Sequence, residues 1–166
     1  MKQTSMLLAV LFFMTVSAFQ GVDRTAKINW YSLEEAQELA KSGDKKVMIY
    51  MEASWCGYCK KMEREVFPQK AVQDSLHKYY YPVRLDVESK DRVTYNGTEM
   101  SEREFAGSIR VSGTPTFLFI NGQGEILGKQ PGFIPVDTFK SLLAYVGSDA
   151  YARVKFDQYI KNRSEE

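Results

Sequence analysis

This 166-residue chain has only two cysteines and one histidine. That is too few side chains for a Cys/His structural zinc site. Charge of one sign is also lacking. Lys+Arg total 22 and Asp+Glu total 21, a formal net charge of +1, and no basic block occurs. Nothing here gives an electrostatic reason to wrap nucleic acid. No apolar run reaches the 18 to 20 residues that span a bilayer, and no internal repeat or low-complexity linker is present. What remains is 44% hydrophobic and 13% aromatic, the profile of one ordinary globular domain.

The first residues read as an address. Lys2 supplies a positive start, Met6 to Val16 is almost wholly apolar, and Val16-Ser17-Ala18 puts small residues before a cleavage point after Ala18. This predicts a signal peptide over 1–18 and a mature domain over 19–166. The competing reading is an uncleaved anchor, for which the run is short. No cysteine lies near the cleavage point to suggest lipidation. Cleavage removes one lysine and no acid, which leaves the mature chain neutral. Export implies a compartment where disulfides persist. The expected location is the periplasm, with no stable membrane insertion after cleavage.

Along the mature chain, Ser32-Leu33-Glu34-Glu35 is a capping box that opens a helix over about 33–41, ending at Gly43. Residues 46–53 (KVMIYMEA) form an apolar run of strand length. A helical pattern follows Cys59 and stops at Pro68, and residues 69–78 suggest a second helix. Residues 80–87 alternate as a strand, with Pro82 pointing to an edge or bulge. The polar stretch 88–100, with Asn96-Gly97, reads as a loop. Ser101 to Glu104 is a second capping box, for a helix to about Ile109. Residues 116–120 and 125–129 flank Asn121-Gly122-Gln123-Gly124 as a hairpin. Residues 136–146 and 149–160 read as the last two helices. The expected fold is α/β: a central mixed sheet with helices on both faces.

Cys56 and Cys59 carry the chemistry. A strand that runs into C-x-x-C and then a helix places the first sulfur at a helix N-terminus, where unpaired N–H groups and the macrodipole favour a thiolate. The thiolate is the nucleophile. Cys59, one turn on, is expected to be the more buried partner and to attack the mixed disulfide that Cys56 forms with a substrate. Trp55 would flank the sulfurs and touch a substrate chain. Two other readings compete. C-x-x-C is half of many zinc sites, but no second pair exists here. A structural disulfide would close so small a loop that it constrains little of the unfolded chain. A third possibility is a soft Cu(I) site, supported only by Met48, Met51 and Met62.

Thr114-Pro115 is the second signal. A cis peptide is energetically accessible there and would turn the Thr114 backbone outward to pair with an extended substrate. A plain trans proline at a strand start is the alternative.

W-C-G-Y-C-K at 55–60, G-T-P-T at 113–116 and P-G-F at 131–133 resemble the thioredoxin superfamily. The similarity runs from about Val47 to Ile160. Residues 94–101 and the helices near 142–146 and 156–160 resemble secreted SoxW-like thioredoxins, and CKKMEREVF resembles the C-terminal domain of the DsbD thiol:disulfide reductase. The resemblance implies a thioredoxin fold with extra N-terminal and C-terminal helices, and a cis Pro115 facing Cys56. It implies a dithiol–disulfide oxidoreductase with no bound cofactor, here a monomer. Catalysis would fall to Cys56, Cys59 and Pro115. Trp55, Gly57, Tyr58 and Thr114 would meet the substrate. The implied partners are disulfide-bearing proteins or small molecules and a membrane electron donor of DsbD type. The direction is that of a reductase, with an oxidase or isomerase as the alternative.

One position departs from the family. Thioredoxins usually carry a buried Asp six residues before the first Cys, and here that residue is Tyr50. Glu63, four after Cys59, is expected to handle the Cys59 proton, with Glu52 as second choice on Tyr50's strand face. An exposed charge is the competing reading for both.

Overall fold

The computed structural model describes residues 27–164. The expected signal segment, residues 1–18, lies outside them. Among the described residues, a four-stranded sheet has the order β2-β1-β5-β6. Its strands are β1 (Lys46–Glu52), β2 (Tyr80–Asp86), β5 (Thr116–Ile120) and β6 (Ile126–Pro131). β1 pairs parallel with β2 and antiparallel with β5, so the sheet is mixed. Six helices surround it: α1 (Leu33–Ser42), α2 (Gly57–Lys61), α3 (Lys70–Tyr79), α4 (Glu102–Ser108), α5 (Val136–Gly147) and α6 (Phe156–Ser164).

β1 is apolar at almost every position because both of its faces are covered. Met48 and Tyr50 pack in one layer with Val72 and Leu76 of α3 and Phe139 and Leu143 of α5. Val47, Ile49 and Met51 pack in the other with Leu33 and Ala36 of α1 and Phe105 of α4. β5 divides the same way, Phe117 and Phe119 against Leu118 and Ile120. Each such side chain contributes about 1.5–3 kcal/mol on burial.

The caps act largely as the sequence suggests. The Ser32 hydroxyl accepts the Glu35 N–H at 3.1 Å, and the box at Ser101 forms in both directions with Glu104. Pro82 lies in an edge strand of the sheet, and its carbonyl accepts the Tyr31 N–H at 2.9 Å.

Three expectations need correction. The stretch 88–100 is not simply a loop: it contains the hairpin β3 (Arg92–Tyr95) and β4 (Thr98–Ser101). Asn96 (φ 50°) and Gly97 (φ 79°) both take the left-handed backbone of a tight hairpin turn. Its strands are short and polar, and α1 helps to hold them: Glu34 accepts from the Thr94 N–H, and Gln37 donates to the Thr94 carbonyl at 2.8 Å. Residues 149–160 are not one helix. Asp149 (φ 59°) breaks the chain after α5, and a short 3-10 turn at Ala150–Ala152 precedes α6. Finally, the helix after Cys59 changes character. It passes from α2 into a π-helical turn over Met62–Val66, with Met62 and Val66 turned into the core.

Candidate redox site

The register brings four loops to one end of the sheet. Met51 lies opposite Thr116, so the segment leaving β1 and the segment entering β5 meet there. Thr116 lies opposite Pro131, which adds the loop after β6, and the parallel partner β2 ends on the same side. Contacts cross between them. Trp55 Nε1 donates to Glu88 Oε2 at 3.0 Å, the Gly132 N–H donates to the Pro115 carbonyl at 2.8 Å, and the Tyr58 and Phe133 rings lie 6.2 Å apart.

Cys56 sits at the head of α2 as its N-cap. The Cys56 N–H closes a turn onto the Ala53 carbonyl, and the Cys59 N–H donates to Cys56 Sγ at 3.0 Å. A hydrogen bond to sulfur at this point favours the ionised thiol whenever the pair is reduced. The two cysteines are joined as a disulfide with Cα atoms 5.2 Å apart. Both are buried, Cys56 at 3% and Cys59 at 1% exposure, so the expected difference in depth is small in the bonded state.

Around this bond the surface is unusually apolar. Trp55 is 64% and Tyr58 62% exposed. A side chain built at Gly57 would meet nothing within 4 Å, so glycine leaves the approach beside Cys56 open. The Thr114–Pro115 peptide is cis. Pro115 is buried, and the Thr114 hydroxyl is buried without a hydrogen-bond partner among the described residues.

Glu52 and Glu63 meet in a group centred on Arg84. Arg84 stands opposite Tyr50 in the β1–β2 register. Its guanidinium reaches Glu52 Oε1 at 3.3 Å and Glu63 Oε1 at 2.9 Å, and lies 4.9 Å from the Trp30 ring and 5.5 Å from the Tyr50 ring. Glu63 and Glu52, proposed above as alternatives, therefore belong to one cluster. Burial pushes the Glu52 carboxyl up; Arg84 opposes that shift, and the neighbouring Glu63 carboxylate adds to it. Tyr50 is fully buried, with its hydroxyl unpartnered among the described residues and its ionisation driven far above the usual range by burial. Glu63 and Arg84 also line a cavity of about 460 Å³ walled by Trp30 and Phe67. Arg84 and Trp30 carried no motif. The one available signal was the alternation of 80–87, which puts Arg84 on a defined strand face.

The three methionines do not converge. Met48 and Met62 share the Cys-pair layer, but Met51 packs on the opposite face of the sheet. Adjacent strand residues point to opposite sides, and Met51 and Tyr50 are neighbours. Tyr80 has a packing role, its hydroxyl donating to the Leu143 carbonyl at 2.7 Å.

Comparison with known proteins agrees with this geometry. A family model for the thioredoxin-like domain matches residues 33–147. The thiol:disulfide interchange protein DsbD of Actinobacillus pleuropneumoniae is 34% identical over 115 residues, 68% of this chain and 18% of that protein. The chain thus spans under a fifth of the length of that relative. A thioredoxin from Thermus thermophilus superposes with a TM-score of 0.59 at 30% identity, covering 72% of this chain and 87% of its own. A thioredoxin-fold protein from Helicobacter pylori gives 0.66 at 18% identity, covering 89% and 96%, a likeness of fold alone. The matched stretch runs from the start of α1 to the end of α5 and encloses the bonded cysteines, so the chain belongs to the thioredoxin-like domain family of disulfide oxidoreductases.

Proposed function

We propose that this chain is an exported reductase of disulfides in proteins or small molecules, working through the Cys56–Cys59 dithiol. The observation that carries the reading is the Cys56–Cys59 bond at the head of α2, under an open rim formed by Trp55, Gly57 and Tyr58. In the reduced protein, the Cys56 thiolate attacks one sulfur of the substrate disulfide and the other substrate sulfur leaves as a thiolate. Cys59 then gives up its proton and attacks Cys56 Sγ. The internal disulfide forms, and the second substrate sulfur departs. Two electrons have passed to the substrate, and a membrane electron donor of DsbD type returns them.

Glu63 and Glu52 receive the Cys59 proton in this scheme. Glu63 follows Cys59 by about one helical turn, and the two acids are held together by Arg84. Thr114 and Pro115 present backbone to the bound substrate chain, with Trp55 and Tyr58 as apolar walls. Residues 1–18 direct export to the periplasm and are removed, and residues 19–166 act as one monomeric domain. Among the described residues no helix is long and apolar enough to cross a membrane. N-terminal sequencing of exported protein should begin at Phe19; a start at Met1 in material held in the membrane would contradict the cleavage.

The test of direction is the reduction potential measured against glutathione. A reductase should lie near the value of about −270 mV found for thioredoxin, whereas a value near about −120 mV would mark an oxidase and overturn the assignment.

A further inference from the structure

A cleft lies between the segment before α1 and the end of the helical run that carries the cysteines. Its volume is about 460 Å³, within the roughly 300–1,000 Å³ of small-molecule sites. Much of its wall is apolar. Trp30 and Phe67 meet edge to face, with ring centroids 5.7 Å apart and planes at 70°, and so make a corner for a flat ring. Ile28 and Pro68 add to that surface.

The polar groups of the cleft are few, and their commitments differ. Glu63 is taken up by Arg84 at 2.9 Å, and Arg84 is shared with Glu52. Gln73 is 7% exposed, and its Nε2 donates to the Phe67 carbonyl at 3.1 Å, which leaves its Oε1 as an acceptor in the lining. Lys27 is the one charge in the lining without an opposite charge beside it among the described residues.

We infer that this cleft is a binding site for a small aromatic carboxylate, separate from the redox rim. The ring of the ligand packs in the corner of Trp30 and Phe67, its carboxylate meets the Lys27 ammonium, and Gln73 Oε1 accepts from a donor on the ring. A cationic ligand is disfavoured. The Arg84 guanidinium already lies 4.9 Å from the Trp30 ring, and a further cation would be set against it and against Lys27. A neutral ligand would leave Lys27 unmatched. Trp55, Tyr58 and Thr114 take no part in the lining, so binding here requires neither a dithiol nor a direction of electron flow.

The chain has two tryptophans, Trp30 in the cleft and Trp55 at the rim, so their indole N–H signals in a proton–nitrogen correlation spectrum report the two places separately. Trp55→Phe identifies which signal is which. The probe is naphthalene-2-carboxylate, compared with the neutral naphthalene-2-carboxamide and the cationic 2-naphthylmethylamine. With the oxidised protein, the carboxylate should move the Trp30 signal saturably, with a Kd of about 1 mM or tighter, and leave Trp55 in place. The carboxamide should bind about fivefold more weakly, and the amine more weakly still. Lys27 is exposed, so its substitution leaves the fold intact. Lys27→Met should bring the carboxylate down to the level of the carboxamide, and Lys27→Glu should put the amine ahead of the carboxylate. Cys56→Ser/Cys59→Ser should bind the carboxylate as wild type does.

No saturable shift of Trp30, a Trp55 signal that moves at the same concentrations, an amine that binds wild type best, or a carboxylate affinity untouched in both Lys27 variants would overturn the inference. Loss of binding in the double cysteine variant would place the ligand at the rim and overturn it equally.

Discussion

The indole of Trp55 is tethered to Glu88 across 33 positions of sequence, Nε1 to Oε2 at 3.0 Å, while the ring itself stays 64% exposed. An exposed aromatic fixed in this way is a prepared contact surface, because the ordering cost of the side chain is met before a partner arrives. Glu88→Ala should release the ring. We expect a shifted Trp55 fluorescence and a higher KM for a protein disulfide at unchanged kcat. Stability should stay within about 0.5 kcal/mol of wild type, since the bond lies on the surface. An unchanged KM would remove the tether from substrate binding.

The identity of the partners is open to a covalent trap. Cys59→Ser leaves Cys56 able to attack but without its resolving thiol, so adducts to natural substrates should accumulate and be cleaved by added reductant. Cys56→Ser/Cys59→Ser should capture none of them. Equal capture by both variants would show that the adducts do not report exchange.

Stability should depend on pH through Glu52. Its carboxyl is held above the ordinary 4.5 by burial, so the folded state binds the proton more tightly than the unfolded chain does. That stabilisation is complete at low pH and fades as pH rises from 4.5 through the raised value. Glu52→Gln removes this dependence. Its urea midpoint should therefore gain on wild type as pH is raised from acid to neutral. A constant difference between the two proteins across that range would contradict the account.

A glycine control addresses the packing of α1. A side chain at Gly122 would come within 2.4 Å of the Ala40 carbonyl oxygen, a backbone atom with little room to yield, whereas one at Gly128 would meet nothing within 4 Å. Gly122→Ala should cost about 1–3 kcal/mol by overpacking, and Gly128→Ala should stay within about 0.5 kcal/mol. Urea unfolding of both variants measures the difference.

What the sequence revealed, and what it hid, has a physical pattern. β1 and β5 were legible because a strand covered on both faces is apolar throughout. The helices at Ser32 and Ser101 were legible because a cap is a local signal. Cys56 and Cys59 were legible because their chemistry depends on spacing. The hairpin at 92–101 was hidden by its polarity: its strands are short, and partners on α1 help to hold them. The π-helical turn at Met62 was hidden because its apolar spacing still fits a helix. Arg84 was hidden because an arginine in an alternating strand looks like any solvent-facing charge. Only the register that sets it against Tyr50, and the helix that brings Glu63 to it, give it partners.

The central claim is that Cys56 is an activated thiol and Cys59 its shielded partner. Iodoacetamide labelling of the reduced protein, mapped by peptide mass across pH, tests this most directly. The account predicts that Cys56 reacts first, with an apparent pKa below the about 8.5 of a free cysteine, and that Cys59 reacts much more slowly. Equal rates, faster labelling of Cys59, or two inert thiols would contradict it.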